Sequence, residues 1–352
     1  MSTGSILVWA GAGLVALALN VIGVAMFRRW AIARRVLDVP NWRSSHTVPT
    51  PRGAGVVLVM VAGLGTITGA AVGVVARERT MLWLGMAATA IVVVSGLEDV
   101  RRVPLGLRLG VQLAAGAVAV IGLTGPNLVA VPFLGRVNPG LVGGVLAVVW
   151  VVGLANAFNF MDGIDGIAGG QALVAALGWL LLADSGSGLQ WVAMLLAAGS
   201  LGFLVFNWAP AKVFMGDIGA VFLGFTFAVL ALVGGRAHPR MVFAGVLLVW
   251  PFLFDTAFTL ARRIGRGENV VTAHRSHLYQ RLVIAGYGHA EVSGLYVGLA
   301  VVGLGLAKLW VTGFAYAGAF VTVVISIAGL GLWWFTTAAE HASARRPPAL
   351  PN

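Results

Sequence analysis

Apolar runs of about twenty residues recur along the whole chain, and they constrain its fold more than any other feature. Each is long enough to cross ~30 Å of hydrocarbon as a helix. In lipid, only helices and closed barrels satisfy their own backbone polar groups. A membrane barrel would need alternating segments of ~10 residues, and none occurs. Only 10% of the 352 residues are charged and 59% are hydrophobic. Soluble domains carry about 25% charged residues. The chain therefore reads as an all-α, polytopic membrane protein.

Eleven spans are predicted, near 5–27, 53–75, 80–97, 107–125, 139–157, 167–183, 190–207, 218–235, 241–261, 291–308 and 313–335. The first run has no positive residue before it, and Arg28, Arg29, Arg34 and Arg35 follow it. A cleaved signal has the opposite order, so this run is a retained span with the N-terminus outside. Eleven spans then put the C-terminus in the cytoplasm. Residues 1–338 form one transmembrane domain, and 339–352, ending "ARRPPALPN", form a disordered cytoplasmic tail.

The net charge of +11 would suggest nucleic acid if it were spread over a soluble surface. Here most basic residues fall in the inner segments. Arg77, Arg79, Arg136, Arg236, Arg240 and Lys308 fall outside. That is the positive-inside asymmetry, and no nucleic-acid partner is implied. The chain has no cysteine, which excludes disulfides, thiolate metal sites and a cysteine nucleophile. Its 49 glycines suit close packing between membrane helices.

The polar stretches sort onto one face. "DVPNWRSSHTVPTPRGAG" follows span 1, "GLEDVRR" span 3, "NAFNFMDGIDGIAGG" span 5, "NWAPAKVFMGDIGA" span 7 and "ENVVTAHRSHLYQRL" span 9. All five lie at inner ends. Glu98, Asp99, Asp162, Asp165 and Asp217, with the amides of Asn156 and Asn159, offer the oxygen ligands that Mg²⁺ prefers beside substrate phosphates. Arg43, Arg52, Arg101, Arg102, Lys212, Arg275 and Arg281 can bind phosphate. The combination points to a diphosphate substrate and a divalent cation. Asn156, Asn159, Asp162 and Asp165 are spaced by three. An ideal helix would let Asn159 and Asp162 share a ligand, but Asn156 and Asp165 diverge unless the helix ends near Gly163.

Structural readings stand beside these. Asn156 also suits a hydrogen bond between helices. Asp162 or Asp165 could be a cap or interface charge, and Asp217 a helix N-cap. Asp255, inside span 9, is either functional or paired with Arg262 or Arg263. His46, His274 and His277 could be loop residues, and His238, His289 and His341 read as surface residues.

From "PNWRSSHTVPTPRG" to "HRSHLYQRL", the five stretches resemble the polyprenyl-phosphate N-acetylhexosamine-1-phosphate transferases. The resemblance implies a single catalytic membrane domain that moves sugar-1-phosphate from a UDP-sugar to undecaprenyl phosphate and releases UMP. The site would face the cytoplasm at a bacterial inner membrane. It implies Asp217 and Asn159 as ligands of Mg²⁺, with Mn²⁺ as an alternative. Asp162 and Asp165 would line the catalytic site. Asp99, with Glu98, would position the lipid phosphate. Asn156, Lys212, His274, Arg275, His277, Arg52 and His46 would bind substrate. The family usually has two aspartates where this chain has Glu98–Asp99, and "HRSH" replaces the three consecutive histidines of the peptidoglycan enzyme. The loop is more similar to the initiators of O-antigen and related surface glycans. The partners implied are a UDP-sugar, a polyprenyl phosphate and membrane lipid, with a homodimer left open. The competing reading is a polytopic transporter or flippase of lipid-linked sugars, whose signature would be mid-membrane acids in duplicated halves.

Overall fold

The computed structural model describes residues 3–40, 48–76, 79–123, 128–270, 272 and 274–345. Its long helices follow the apolar runs: α1 (Thr3–Ala33), α2 (Gly55–Ala71), α3 (Arg79–Val100), α4 (Leu105–Gly122), α5 (Gly140–Met161), α6 (Ile167–Leu182), α7 (Gly188–Asn207) and α8 (Gly216–Ala237). The ninth run is a helix pair, α9 (Met241–Leu248) and α10 (Trp250–Gly265). A short α11 (Leu278–Ile284) precedes α12 (His289–Thr312) and α13 (Ala317–Ala344). Among the described residues, eight helices are long and apolar enough to cross a membrane, and nine with the bent pair counted as one span. The helices at the second and sixth runs, α2 and α6, have 17 and 16 residues and fall short of that length. Helix α13 continues through Ala344, beyond the residue-338 end drawn from the sequence.

The helices surround α8, whose residues are mostly buried among α2, α3, α5 and α9. Helices α1 and α13 lie at the periphery and expose large apolar side chains such as Leu14, Met26, Ile327 and Trp334. On a soluble protein this much apolar surface would be a liability. Lipid makes it ordinary. Small residues permit close crossings: Gly55 of α2 lies so near Gly219 of α8 that a Cβ on it would come within 2.6 Å of the Gly219 Cα.

The bend between α9 and α10 is 74°. Pro251 sits in the first turn of α10, where its missing N–H removes a bond that would otherwise continue α9. The bend turns α10, with Asp255, Thr259 and Arg263, across the end of the bundle where α5 ends and α6 begins. Two small antiparallel pairs complete the fold. Strand β1 (Leu37–Asp38) pairs with β2 (Thr50–Pro51), setting Leu37 opposite Pro51. Strand β3 (Val129–Val131) pairs with β4 (Gly135–Val137) in a hairpin between α4 and α5. A bridge between Arg52 and Phe214 ties the inner loop after α1 to the loop before α8.

Candidate active site

Loops at one end of the bundle converge on an open cavity of about 910 Å³. Arg52, Asn156, Asn159, Asp162, Asp165, Asp217, His274 and His277 all line it. Helix α5 ends at Met161, and Asp162 is its C-cap. The chain thus leaves the helix just where the spacing of four polar residues demanded. Asn156 and Asn159 project from the last turns of α5, while Asp162 and Asp165 lie on the loop beyond it. Non-helical backbone at the end of a span needs a polar cavity, and this one supplies it.

Asp217 stands in the first turn of α8. A helix N-terminus offers unpaired N–H groups and a positive dipole end, which suit a carboxylate. Here the N–H groups of Asp217 and Ile218 are taken by Asp99, at 2.9 and 3.0 Å. Gly216 makes this possible: its φ is +79°, and a Cβ there would lie 2.7 and 2.9 Å from the two Asp99 oxygens. Arg52 bridges the acids, 2.6 Å from Asp217 Oδ1 and 3.2 Å from Asp99 Oδ1. Asn159 donates its side-chain N–H to Asp217 Oδ2 at 3.3 Å. Burial works against the Arg52 charge, yet Asp217, Asp99, Asp38 and Asp162 hold its pKa above the ordinary value.

Asp162 makes no hydrogen bond or ion pair among the described residues, although it lines the cavity. Burial pushes its carboxyl up to about 7, and the charges of Asp217, Asp99 and Asp165 add to the shift against the pull of Arg52. Asp165 is tied down. One oxygen accepts from the Ala211 N–H at 3.0 Å, and the other is 3.2 Å from His289 Nδ1. Asn207 braces the same loop, accepting from the Gly166 N–H at 3.0 Å and donating to the Val213 carbonyl at 2.9 Å.

Asp99, Glu98, Lys212 and Arg275, also singled out by sequence, lie off the cavity wall. Asp99 sits behind Asp217 with both oxygens bonded to the N-terminus of α8. Glu98 accepts from the Val103 N–H at 2.7 Å and pairs with Arg108 at 2.9 Å. Both side chains therefore brace the end of α3 instead of facing the cavity. Lys212 is exposed and Arg275 half-buried, and neither lines the cavity. Asn156 lines it but gives its amide N–H groups to Gln112 at 2.6 Å and to the Val152 carbonyl at 2.8 Å, which is the helix-packing arrangement. His46 and Arg43 lie outside the described residues.

A family model described as Glycosyl transferase family 4 matches residues 81–235, from α3 to the end of α8. A phospho-N-acetylmuramoyl-pentapeptide-transferase of Moorella thermoacetica is 34% identical over 226 residues, 61% of this chain and 70% of that protein. The chain belongs to glycosyl transferase family 4. A probable undecaprenyl-phosphate N-acetylglucosaminyl 1-phosphate transferase of Bacillus subtilis is 28% identical over 86% of each chain. A decaprenyl-phosphate N-acetylglucosaminephosphotransferase of Mycolicibacterium smegmatis is 28% identical over 84% of this chain and 80% of that one.

For this family 4 member, the donor set was tested against a divalent cation. Among the described residues, no three His, Asp or Glu side chains converge as a closed cage. Mg²⁺ does not need one, since it keeps waters and substrate phosphates beside one or two carboxylates. Asp217, the unbonded Asp162 and the side-chain oxygen of Asn159 are such a set, so the residues fit.

Three contributors escaped the sequence reading, and Asp255, for which a functional role and an arginine pairing both stood open, is placed by the structure. Arg108, in the first turn of α4, lines the cavity 3.8 Å from Asp217. A lone Arg at an inner span end looks like topology, which hid it. His289 was read as a surface residue; it lines the cavity because α12 begins against Asp165. Asn207 closes α7 in "FNWAP", where a single amide carries little signal. Asp255 pairs with neither arginine. Arg263 bonds instead to Glu268 at 3.0 Å and to the Asn269 carbonyl at 2.6 Å. Asp255 organises the "HRSH" loop. His274 there is half-buried, and burial, with His277 and Arg263 nearby, pushes its pKa down to about 4. It is therefore a neutral group at physiological pH.

Proposed function

We propose that this chain transfers N-acetylhexosamine-1-phosphate from a UDP-sugar to undecaprenyl phosphate, releasing UMP, at the cytoplasmic face of a bacterial inner membrane. The observation that carries the reading is the convergence of Asp162, which has no hydrogen-bond partner among the described residues, with Asp217, Asn159 and the guanidinium groups of Arg52 and Arg108 on one cavity at one end of the bundle. Carboxylates and guanidinium groups together suit a charged diphosphate and its counter-cation. The relatives named for undecaprenyl- and decaprenyl-phosphate N-acetylglucosamine transfer support the acceptor and the sugar class.

In this reading α2, α6 and the bent pair all span, giving eleven spans in one catalytic domain with the N-terminus outside. The five polar loops then share the cytoplasmic side, where nucleotide sugars are made. The loop "HRSH" favours a small UDP-N-acetylhexosamine, or a deoxy derivative, and a role at the start of O-antigen or another surface glycan.

An oxygen of the lipid phosphate attacks the β-phosphorus of the UDP-sugar. The bond from that phosphorus to the bridging oxygen breaks, and UMP leaves with the electron pair. A phosphate monoester has a second pKa near 6, so the nucleophile is largely dianionic at neutral pH. Asp162, raised to about 7, can take a residual proton. Arg52 and Arg108 hold phosphate oxygens in line. Asp99 acts one step back, fixing the turn that presents Asp217. Asp217 and Asn159 would hold Mg²⁺ or Mn²⁺, whose charge offsets that of the diphosphate.

Purified protein with undecaprenyl phosphate and a panel of UDP-sugars tests the proposal by release of UMP and formation of lipid-linked sugar phosphate. Absence of both with every UDP-N-acetylhexosamine, together with movement of labelled lipid-linked sugar across vesicles, would establish the transporter instead. That alternative is not favoured: Asp255, the deep acid it would draw on, is fully buried under five hydrogen bonds.

A further inference from the structure

The buried acid of α10 has a role that the transfer chemistry above does not assign. Asp255 is 0% exposed, and its partners are His277 Nδ1 at 3.1 Å, the Leu278 N–H at 2.9 Å, the Tyr279 N–H at 3.1 Å, the Thr259 hydroxyl at 3.1 Å and the Tyr296 hydroxyl at 2.5 Å. The two backbone groups can only donate, one to each oxygen. An ionised carboxylate can only accept. The nitrogen of His277 facing it must therefore carry a proton. The ring is 4% exposed as a residue and lies between Tyr279, stacked with centroids 5.8 Å apart, and Phe160 at 6.2 Å. It is thus fixed in plane as well as in rotation. His277 lines the cavity, and its other nitrogen, Nε2, has no hydrogen-bond partner among the described residues.

We propose that Asp255 is a positioning residue for His277, holding the proton on Nδ1 and so presenting Nε2 to the bound UDP-sugar. Which nitrogen of a histidine carries its proton is set by the hydrogen bond that the other one makes. The same carboxylate caps α11 through Leu278 and Tyr279, and the Tyr279 hydroxyl donates to the Phe160 carbonyl at 2.9 Å. Asp255 therefore fixes His277 relative to the end of α5, which carries Asn159 and leads into Asp162. This role rests on the proposed transfer reaction, but its tautomer can be tested without turnover.

The test combines a spectrum with a mutant cycle. Wild-type protein with ¹⁵N-labelled histidine, the signal assigned by its loss in His277→Asn, should show Nδ1 protonated. A proton on Nε2 with Nδ1 bare overturns the proposal, whether or not the protein has transferase activity. In kinetics, His277→Asn keeps an amide N–H for Asp255 but removes Nε2. It should retain the wild-type melting temperature and lose ~10²-fold in turnover, the scale of a misplaced or missing positioning group. Asp255→Asn should cost 10- to 100-fold in the wild-type background, as orienting partners typically do, and less than about 2-fold on top of His277→Asn. Equal losses in both backgrounds would make Asp255 merely structural. If Asp255→Asn does not fold, the spectrum and His277→Asn still decide, and full activity of His277→Asn refutes the role. Failure of the wild-type protein to transfer any sugar would remove the proposed function while leaving the tautomer result standing.

Discussion

Substituting Gly216 by alanine tests how closely the turn before α8 must be held. The residue has a φ of +79°, which costs an L-residue about 1–2 kcal/mol. Its new Cβ would lie 2.7 and 2.9 Å from the Asp99 oxygens and 2.9 Å from the Gly53 Cα. Comfortable contacts lie near 3.5 Å or beyond, so something must move by roughly half to one ångström. The neighbours that must give way are backbone at Gly53 and the carboxylate that caps Asp217 and Ile218. Strain and overpacking together should destabilise by about 2–4 kcal/mol. The larger effect is on position. A shift of ~1 Å in a group that aligns reactants can cost ~10²-fold in rate, equivalent to about 2.7 kcal/mol in the barrier. We expect Gly216→Ala to insert, melt earlier and lose about two orders of magnitude in UMP release. Gly294→Ala is the control, since a Cβ there, in the second turn of α12, meets nothing within 4 Å. It should be silent. Near-normal turnover in Gly216→Ala would refute the argument that the Asp99 clamp sets Asp217.

Three further outcomes follow from the site. Asp217→Asn should insert normally and lose most transfer activity, whereas Asp184→Asn, in the α6–α7 loop at the far end of these helices from the cavity, should be nearly silent; Mg²⁺-dependent activity at the wild-type level in Asp217→Asn would remove the principal ligand. The Asp162 carboxyl, raised to about 7, is protonated below that pH and ionised above it. If the ionised form serves, kcat/KM should climb as pH rises through 7. In Asp162→Asn that limb should disappear, leaving only one near 6 from the lipid phosphate; an unchanged profile would separate Asp162 from the chemistry. Because the chain has no cysteine, single cysteines report orientation cleanly. Arg136→Cys, on the exposed β4 strand, should label in intact cells, and Arg101→Cys only after permeabilisation; the reverse pattern would invert the topology.

The helices were legible because each apolar run is a local signal that needs no partner. The ninth run reads as one span, 241–261, and neither its break at Pro251 nor the turn of α10 across the cavity was legible in it. The alternation in "VAVPFLGRV" is too short to announce the β3–β4 hairpin. At the site, residue types were readable and partners were not. Asp217 and Asn159, 58 positions apart, came from the motifs together. That Asp99 faces the N-terminus of α8 depends on how α3 meets α8, and nothing near residue 99 records it. His289 meets Asp165 across 124 positions. Asp255 read equally as a functional acid or a partner for the adjacent arginines, and its donors come from residues 259, 277, 278, 279 and 296. Long-range geometry decided which acids face the cavity and which brace it.

The two short helices explain why the cavity lies where it does. At 1.5 Å per residue, the 17 residues of α2 and 16 of α6 reach about 24–26 Å, less than the ~30 Å of the hydrocarbon core. The shortfall of each falls beside the cavity. Helix α2 starts directly after the Arg52 loop, where the N–H groups of Gly53 and Ala54 bond to the Phe214 carbonyl at 3.1 and 3.0 Å. Helix α6 starts directly after the Asp162–Gly166 loop. Extending either helix inward by a turn would satisfy its backbone but fill the space where Arg52 and Asp162 now stand. These loops are tolerable because the Asn207 side chain, and backbone from the loop before α8, take up their N–H groups. The polar site and the short spans are therefore one feature. Under the proposed function, the lipid phosphate would approach from the membrane plane while the soluble donor enters through the open cavity.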